Sequence, residues 1–365
     1  MKAKILYTIL LLIGLPAIIF PAAAQQLNVC LAGMSHDHVG VALNAYKKGD
    51  IDIIGIAEPS REIRQRFQQQ YGLPDSLFFD DVATMLQHRK PDVVMAYDPT
   101  SQHLPVVEAC APMGVSVMVE KPLALNAREA EKIAALAEKY HTHVFTNYWT
   151  TWYPSDRQIY KMVREDSVIG GMRKLVFHDG HEGPKEIGTS KDFLQWLTDP
   201  AQNGGGAIMD FGCYGVNQLT WMMDNQLPLA VTAITRHIKP EVYPKVDDDA
   251  TIVVEYPSVT AIIQASWDWP FTLLDMEVYG QKGYLQAVDG DHIRQKNGND
   301  PYAAVQPSAV DHPYEDNITY LKAVLKNDFH PTDDQASLKN NLTVMKILDA
   351  ARRSAKEGRR IALQR

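Results

Sequence analysis

The sequence is poor in cysteine and has no concentrated positive charge. Its 365 residues include only three cysteines, at wide spacing, which suggest neither a disulfide framework nor a zinc ligand pattern. Acidic residues outnumber lysine and arginine by 44 to 36, and no basic run occurs, so nucleic acid is not an expected partner. Internal repeats and low-complexity segments are also lacking. The remaining composition is that of a globular protein long enough for two domains.

The first residues have the layout of a secretory signal. Lys2 and Lys4 precede an apolar run over residues 5–20, and three alanines end at Ala24. The apolar run is shorter than the ~20 residues that a membrane span needs, although an uncleaved anchor is the alternative. We therefore expect residues 1–24 to be a cleaved signal peptide. The mature chain is then periplasmic or otherwise exported, without stable membrane insertion.

Strand and helix patterns divide the mature chain into two parts. Between residues 25 and 147, short apolar runs such as LNVCLAG alternate with helical stretches such as NAREAEKIAALAEKYH, which Asn126 would cap. This alternation predicts a doubly wound parallel sheet of the Rossmann type. Residues 148–335 contain longer strand patterns with few helices and predict an α+β domain with an open, mostly antiparallel sheet. Residues 336–365 predict a helix and tail that pack back on the domains.

The stretch LAGMSHDHVG follows the first predicted strand. In a doubly wound fold this turn receives a pyrophosphate on the N-terminus of a helix. Gly33 is retained, but Ser35, His36 and His38 occupy the positions before Gly40 where further glycines are usual. We expect the turn still to bind a dinucleotide, with the imidazoles replacing backbone groups as hydrogen-bond donors.

An acidic residue at the end of the second strand supports this interpretation. Glu58 lies where a carboxylate accepts hydrogen bonds from the adenosine ribose. Because it would also repel a 2′-phosphate, NAD is favoured, with NADP as the alternative. His36 and His38, with His103, are also candidate metal ligands. We predict no metal, because alternate residues of a turn rarely converge and no carboxylate-rich shell is evident.

A lysine at the carboxyl end of a parallel strand should point into the ligand crevice of such a sheet. Glu120 and Lys121 in VEKPLALN, with Pro99 and His103 in DPTSQH upstream, form such a pattern. Together with KVDDDATIVVEY and AARRSAKEGRRIAL, these motifs resemble the Gfo/Idh/MocA oxidoreductase family over nearly the whole mature chain. The resemblance implies dinucleotide contacts from these four residues, from Glu58, and from the turn at Gly33, Ser35, His36 and His38.

The second family motif lies in NGGGAIMDFGCYGVNQL. Many members have Asp-x-Gly-x-His-x-x-Asp, whereas this chain has Asp210, Tyr214 and Asn217 at the first, third and last of these positions. The tyrosine is similar to that of the subgroup with glucose–fructose oxidoreductase and dihydrodiol dehydrogenase. The resemblance implies catalysis by Lys121, Asp210 and Tyr214. The ammonium of Lys121 would lower the phenol pKa from its usual ~10. The alternatives are a packed tyrosine and a helix-capping aspartate.

Aromatic and polar side chains suggest the substrate. Trp149 and Trp152 in NYWTTWYP offer faces on which sugars stack, and they stand where an arginine is common in the family. The segment 177–188, FHDGHEGPKEIG, is a predicted substrate loop from which His181 and Lys185 contact hydroxyl groups. Asn217 is a further candidate substrate contact. Core packing of the tryptophans and a solvated loop are the alternatives.

These observations predict an exported NAD(P)-dependent oxidoreductase that transfers hydride at a carbinol carbon of a sugar or sugar derivative. Free dinucleotide is scarce outside the cytoplasm, so we expect NAD to be tightly bound. A redox-neutral NAD-dependent glycosidase or lyase is one alternative, and a non-catalytic carbohydrate-binding protein that has lost the dinucleotide is another. The open sheet usually pairs in this family, so a homodimer or homotetramer is expected.

Overall fold

A computed structural model describes residues 26–331 and 333–363 of the chain. The predicted signal peptide, residues 1–24, lies outside the described residues. Among the helices of the described part, none combines the length and the apolar character that crossing a membrane requires.

The N-terminal half contains a six-stranded sheet with the order β3-β2-β1-β4-β5-β6, and all of its strand pairs are parallel. The chain order reverses beside β1, so the carboxyl ends of β1 and β4 flank the crevice in which such sheets bind ligands. This confirms the predicted doubly wound sheet. The strands are β1 Leu27–Ala32, β2 Ile51–Ala57, β3 Phe78–Phe79, β4 Val93–Ala96, β5 Ser116–Glu120 and β6 Val144–Asn147.

Helices connect these strands, and side-chain caps define where several begin. The Asn126 side chain accepts a hydrogen bond from the Glu129 N–H and caps α5, as predicted. The Ser60 side chain caps α2 in the same way through the Ile63 N–H. The helices are α1 Val39–Lys48, α2 Arg61–Tyr71, α3 Val82–His88, α4 His103–Cys110 and α5 Ala127–Tyr140.

The C-terminal half contains a nine-stranded sheet with the order β14-β13-β12-β11-β7-β10-β9-β8-β15. The β7–β10 pair is parallel and the other described pairs are antiparallel. This confirms the predicted open, mostly antiparallel sheet. The strands are β7 Met172–Gly180, β8 Ala230–Arg236, β9 Asp249–Glu255, β10 Thr260–Ser266, β11 Leu273–Gly280, β12 Gly283–Ala287, β13 Ile293–Asn297, β14 Ala303–Val305 and β15 Ile361–Ala362.

One face of this sheet is covered by helices and the other is open. Burial alternates along β9 and β10, as expected when one face packs on a core. The covering helices α10 and α12 contact each other and the sheet, whereas Ile234 and Tyr279 on the strands are exposed. The helices are α6 Pro154–Tyr160, continued by a π-helical turn Lys161–Glu165, α7 Lys191–Leu197, α8 Pro200–Asn203, α9 Ala207–Asp210, α10 Gly212–Met222, α11 Asn317–Leu325 and α12 Leu338–Glu357.

Candidate active site

A cavity of about 450 Å³ lies where the carboxyl ends of the parallel strands meet α9, α10 and the segment after β7. Polar groups from both halves of the chain converge on it, which is how ligand pockets between domains are commonly built. Its lining includes His38, Lys121, Trp149, His181, Asp210 and Tyr214.

Lys121 and Asp210 form a buried ion pair across the two halves of the chain. The Lys121 ammonium pairs with Oδ1 of Asp210 and also lies 3.2 Å from its backbone carbonyl. Oδ2 of Asp210 accepts a hydrogen bond of 2.9 Å from the indole N–H of Trp267. Burial alone would lower the pKa of Lys121 and raise that of Asp210, but the attraction between the two charges raises the first and lowers the second. The pair is therefore ionised at neutral pH.

The local backbone places Asp210 at the end of α9. Both carboxylate oxygens of Asp247 accept hydrogen bonds from the first turn of this helix, from the N–H groups of Gly206 and Ile208 at 3.0 and 2.7 Å. A Cβ at Gly206 would lie 1.7 Å from the Asp247 carbonyl oxygen, so only glycine allows this approach. The glycine run before the motif thus sets the position of Asp210.

Tyr214 lies in the first turn of α10, and the Lys121 ammonium is 5.2 Å from the centre of its ring. Burial raises the pKa of Tyr214 well above its usual value, and Cys213 and Glu120 raise it further. The predicted lowering of this pKa by Lys121 is therefore wrong. Burial of the phenol outweighs the ammonium, whose charge is already paired with Asp210. Tyr214 is a protonated hydrogen-bond donor at neutral pH.

A second charged pair lies beside the first. Nδ1 of His38 is 3.0 Å from Oε2 of Glu120, and Oε1 of Glu120 accepts a hydrogen bond of 2.8 Å from the Asn147 amide. The indole nitrogen of Trp149 lies 3.0 Å from Nε2 of His38. Burial would raise the pKa of Glu120, but His38 and Asn147 outweigh it and lower the pKa. Because Glu120 is ionised, Nδ1 of His38 is the donor in this contact.

The turn after β1 makes an internal hydrogen bond between two of its own residues. The backbone N–H of His38 donates to Nδ1 of His36 at 3.1 Å, so this imidazole is an acceptor here and not the donor that the sequence suggested. The His36 ring packs 4.4 Å from Phe193. Burial lowers its pKa well below the usual value, with further lowering by His38 and Lys121. His36 is therefore a neutral packing residue.

A second cavity of about 490 Å³, lined by Ser35, Glu58, Asp98 and Pro99, adjoins the turn. The Ser35 hydroxyl is buried without a hydrogen-bond partner in the described structure. Gly33 has φ +72°, and a Cβ there would lie 1.6 Å from Oδ1 of Asp98. A hydroxyl without a partner at Ser35 and a glycine without a side chain at Gly33 suit the phosphate end of a dinucleotide. These residues therefore fit a bound dinucleotide.

The region around Glu58 bears on the choice of dinucleotide. Its carboxylate oxygens accept hydrogen bonds from the N–H groups of Met34 and Ser60 at 2.9 and 2.8 Å, which hold it at the cavity. Arg64 pairs with Asp80 at 2.6 Å and donates to the Phe79 carbonyl at 2.8 Å. Its guanidinium is thereby engaged and not directed at a 2′-phosphate, which agrees with the expected preference for NAD.

Three predicted substrate contacts are absent from the lining of this cavity. Asn217 is buried and donates to the Gln335 carbonyl at 2.9 Å, joining α10 to the segment before α12. Lys185 is exposed, and the indole N–H of Trp152 donates to Asn147 at 3.0 Å. His103, a predicted dinucleotide contact, is buried with Nδ1 3.1 Å from the Pro122 carbonyl, so it supports the segment after Lys121. The assignments of these residues as ligand contacts stay predictions.

Within residues 26–331 and 333–363, two groups of side chains bring possible metal-ligand atoms within 4.8 Å of one another: His36, His38 and Glu120, and His178, Asp275 and Glu277. In the first group, the hydrogen bonds described above already use Nδ1 of both histidines and both oxygens of Glu120. In the second, Nδ1 of His178 lies 2.6 Å from Asp275. We assign a metal to neither group.

Sequence reasoning missed how the site is supported. Trp267 is fully buried, and its N–H orients Asp210. Asn147, which anchors Glu120, and Tyr153, which lines the cavity, were not singled out. The position of Asn147 at the end of β6, beside Glu120 at the end of β5, is the signal that would have indicated its role.

Comparison with known families matches both halves of the chain. Residues 28–148 match a model described as an oxidoreductase family with an NAD-binding Rossmann fold. Residues 157–286 match the GFO/IDH/MocA C-terminal domain.

Curated relatives and solved structures extend the likeness. Trans-1,2-dihydrobenzene-1,2-diol dehydrogenase of Xenopus tropicalis is 24% identical over 266 residues, 72% of this chain and 75% of that protein. An aldose–aldose oxidoreductase from Caulobacter crescentus, solved with glycerol, superimposes with a TM-score of 0.79 at 22% identity, covering 93% of this chain and 100% of that one. An inositol dehydrogenase homolog from Azotobacter vinelandii, solved with NAD+, gives 0.79 at 16% identity, covering 93% and 98%. At these identities the solved structures show a shared fold.

Proposed function

The chain belongs to the Gfo/Idh/MocA family and is an NAD-binding oxidoreductase, and from that premise we propose that it transfers hydride at a carbinol carbon of a sugar or sugar derivative. The observation that carries the proposal is one cavity that both Lys121 and Tyr214 line, at the carboxyl end of the parallel sheet. A cavity of about 450 Å³ is in the size range of small-molecule sites.

Lys121 and Tyr214 form the proposed hydrogen-bonding pair at the reacting oxygen. Both are protonated at neutral pH, the first through its ion pair with Asp210 and the second through burial. Together they donate hydrogen bonds to the oxygen of the carbinol as it gains negative charge, which is the stabilisation that such donors provide. Bound NAD supplies the hydride acceptor, and Gly33, Ser35 and Glu58 are the residues that would hold it.

The rest of the cavity supports a polyhydroxylated substrate. Trp149, about half exposed, offers an indole beside the reacting groups, and such rings stack on the C–H faces of sugars. His181 lines the opposite side, and its ring meets Phe211 edge-on at 4.7 Å. Burial lowers the pKa of His181, so it is a neutral hydrogen-bonding group for a hydroxyl.

Export, tight cofactor binding and oligomerisation complete the proposal. The N-terminal sequence supports cleavage after Ala24 and export to the periplasm. Export favours a tightly held dinucleotide, because released NADH would not be recycled there. The open sheet face, with Ile234 and Tyr279 exposed, supports pairing into a homodimer or homotetramer.

The experiment begins with the mature chain from Gln25, purified and denatured, and its supernatant examined for nicotinamide by mass spectrometry. The refolded or native protein is then mixed with NAD+ and D-glucose, methyl β-D-glucopyranoside or myo-inositol, and NADH is followed by absorbance. Oxidation of at least one polyol is expected. We expect Tyr214→Phe to lower kcat by about 10²-fold or more, as for loss of a donor that stabilises developing negative charge. A protein that neither contains nor binds a nicotinamide dinucleotide contradicts the proposal.

One observation favours a second candidate, a non-catalytic carbohydrate-binding protein. The turn after β1 uses the His38 N–H internally, on His36, which leaves fewer backbone donors for phosphate than a glycine-rich turn offers. Such a protein would bind one of the polyols with or without NAD+, and Tyr214→Phe would not change that affinity. Calorimetric titration with each polyol, in the presence and absence of NAD+, distinguishes the two candidates.

A further inference from the structure

The proposed reaction needs a proton acceptor that Lys121 and Tyr214 do not provide. Oxidation of a carbinol releases a hydride from carbon and a proton from oxygen. Both members of the pair are already protonated at neutral pH, so they stabilise the oxygen but take no proton from it. Asp210 is held ionised, but both of its oxygens are occupied by Lys121 and Trp267.

The two other histidines near the cavity are poorly suited to the task. His36 is fully buried, and its Nδ1 already accepts the His38 N–H. His181 is buried, and its Nδ1 accepts the Gly183 N–H at 2.8 Å. Burial lowers the pKa of both rings, which opposes the gain of a charge. His38 differs from them because its side chain is 23% exposed and it lines the cavity.

The surroundings of His38 favour proton uptake at one defined nitrogen. Nδ1–H donates to the ionised Glu120, whose second oxygen is fixed by Asn147, so Nε2 carries the free electron pair. An imidazolium formed there is stabilised by a carboxylate at 3.0 Å. Around Nε2 lies Trp149, which donates to it from the turn after β6. The charged or titratable groups nearby are His36 and Asp37 on the same turn, Glu120 at the end of β5, Lys121 directly after it, and Tyr153, His181, Asp210 and Tyr214 around the cavity.

We propose that His38 is the catalytic proton acceptor of this site and that Glu120 is its positioning residue. This inference rests on the proposed function. When the carbinol is oxidised, its O–H bond breaks and an N–H bond forms at Nε2 of His38. A bound oxidised dinucleotide would accept the hydride from the carbinol carbon, so the substrate would lose two electrons and two hydrogens in total. For the substrate hydroxyl to reach Nε2, the indole N–H of Trp149 gives up its contact with that nitrogen.

The same side chains present one competing interpretation, a metal held by His36, His38 and Glu120. A metal at this place would have to replace the His38–Glu120 and His36–His38 hydrogen bonds together. The hydrogen-bonded arrangement is satisfied without it, so the dyad is favoured. Equilibrium dialysis of the mature protein against Zn²⁺ and Mn²⁺ distinguishes the two, because a stoichiometric metal bound by wild type and lost in Glu120→Gln overturns the dyad.

The first test needs neither cofactor nor substrate. The imidazole nitrogens of the native mature protein are observed by ¹⁵N-detected NMR, with His38 identified by comparison with His38→Gln. We expect His38 to carry its proton on Nδ1, and Glu120→Gln to weaken that preference more than Glu120→Asp does. A His38 protonated on Nε2 in the resting protein overturns the inference, whatever the enzyme turns over.

The second test uses the polyol that wild type oxidises. We expect His38→Gln to lower kcat by about 10²-fold and to remove the loss of rate on the acid side of the pH profile, with KM little changed. Glu120→Gln should lower kcat by about tenfold, and Glu120→Asp should recover part of it. The matched control is His36→Gln, two residues before His38 in the same turn. This variant should still lose rate on the acid side of the pH profile.

The outcomes separate the two proposals. If wild type oxidises no polyol, the proposed function fails and this inference fails with it. If wild type is active and His38→Gln keeps both its rate and its acid limb, the inference fails alone. Circular dichroism and NMR spectra of His38→Asn, a second variant of the same residue, show whether a loss of rate comes from misfolding.

Discussion

Glu120 and Lys121 are neighbours in sequence, yet their side chains enter different environments. Glu120 remains within the dinucleotide-binding half, where it meets the partly exposed His38. Lys121 crosses to the C-terminal half, where it meets the buried Asp210. Successive side chains of an extended chain point to opposite sides, so one strand end supplies both halves of the site.

The difference between the two pairs lies in their access to solvent. The Lys121–Asp210 side chains are each 6% exposed, and an ion pair in such surroundings strongly resists losing either charge. His38 is 23% exposed beside a 1% exposed Glu120, so its ring is accessible from the cavity while the carboxylate remains in place. The buried pair therefore fixes geometry, and the partly exposed pair is the one to which we assign proton exchange.

The largest expected effect comes from removing the cation of the buried pair. Lys121→Met leaves Asp210 buried without its counter-charge, which should destabilise the protein by about 3–5 kcal/mol. The measurement is urea unfolding followed by fluorescence. The double variant Lys121→Met/Asp210→Leu is the control and should recover much of the loss. Equal destabilisation by the single and double variants would contradict the assigned ion pair.

An intermediate effect on stability is expected at Asp156, a buried carboxyl that is not paired with a cation. Burial, with Asp275 nearby, raises the pKa of Asp156 to about 7, and Gln218 donates to it at 2.6 Å. A raised carboxyl pKa adds stability that is fully present below the unfolded pKa near 4 and is lost as the pH rises to 7. Between pH 5 and 7 this amounts to about 2–3 kcal/mol.

Asp156→Asn removes this titration, so the free energy of unfolding should fall less between pH 5 and 7 than it does in wild type. Chemical denaturation at several pH values measures the difference. Asp210→Asn is the informative comparison because that carboxyl is ionised by its cation: its loss should destabilise the protein at neutral pH without removing the fall. An unchanged pH dependence in Asp156→Asn would show that Asp156 is charged in the native protein.

The smallest effect on stability is expected for the His38–Glu120 pair. Glu120→Gln keeps the size of the side chain and one acceptor for His38, so we expect a loss of about 1 kcal/mol at pH 7. Thermal or urea unfolding of the same preparations used for kinetics provides the value. A loss as large as that of Lys121→Met would mean that Glu120 supports the fold as much as Lys121 does, and the contrast between the pairs would disappear.

The patterning of the chain predicted much of the fold. The alternation of strands and helices identified the parallel sheet, and Asn126 was correctly placed at the start of a helix because capping depends on local backbone geometry. The short strands β13, β14 and β15 were not predicted. Segments of two to five residues carry too little periodic signal, and their pairing depends on neighbours distant in sequence.

The site was predicted less evenly. Lys121, Asp210 and Tyr214 converge on one cavity together with His38, Trp149 and His181, whereas Asn217 and Trp267 are buried supports. The predicted lowering of the Tyr214 pKa was the clearest error. The sequence indicated that an ammonium would lie near Tyr214. It did not indicate how deeply the phenol would be buried, or that Asp210 would already neutralise the ammonium.

The sequence alone determined the family, the alternation of strands and helices in the parallel sheet and the residue types at the strand ends, because local periodicity and short motifs carry that information. Tertiary structure decided which of those residues meet, which are buried and which can change charge. Desolvation and pairing depend on atoms contributed by both halves of the chain. Glu120 and Lys121 share one motif, but in the folded protein the first pairs with His38 and the second with Asp210, so their expected roles differ.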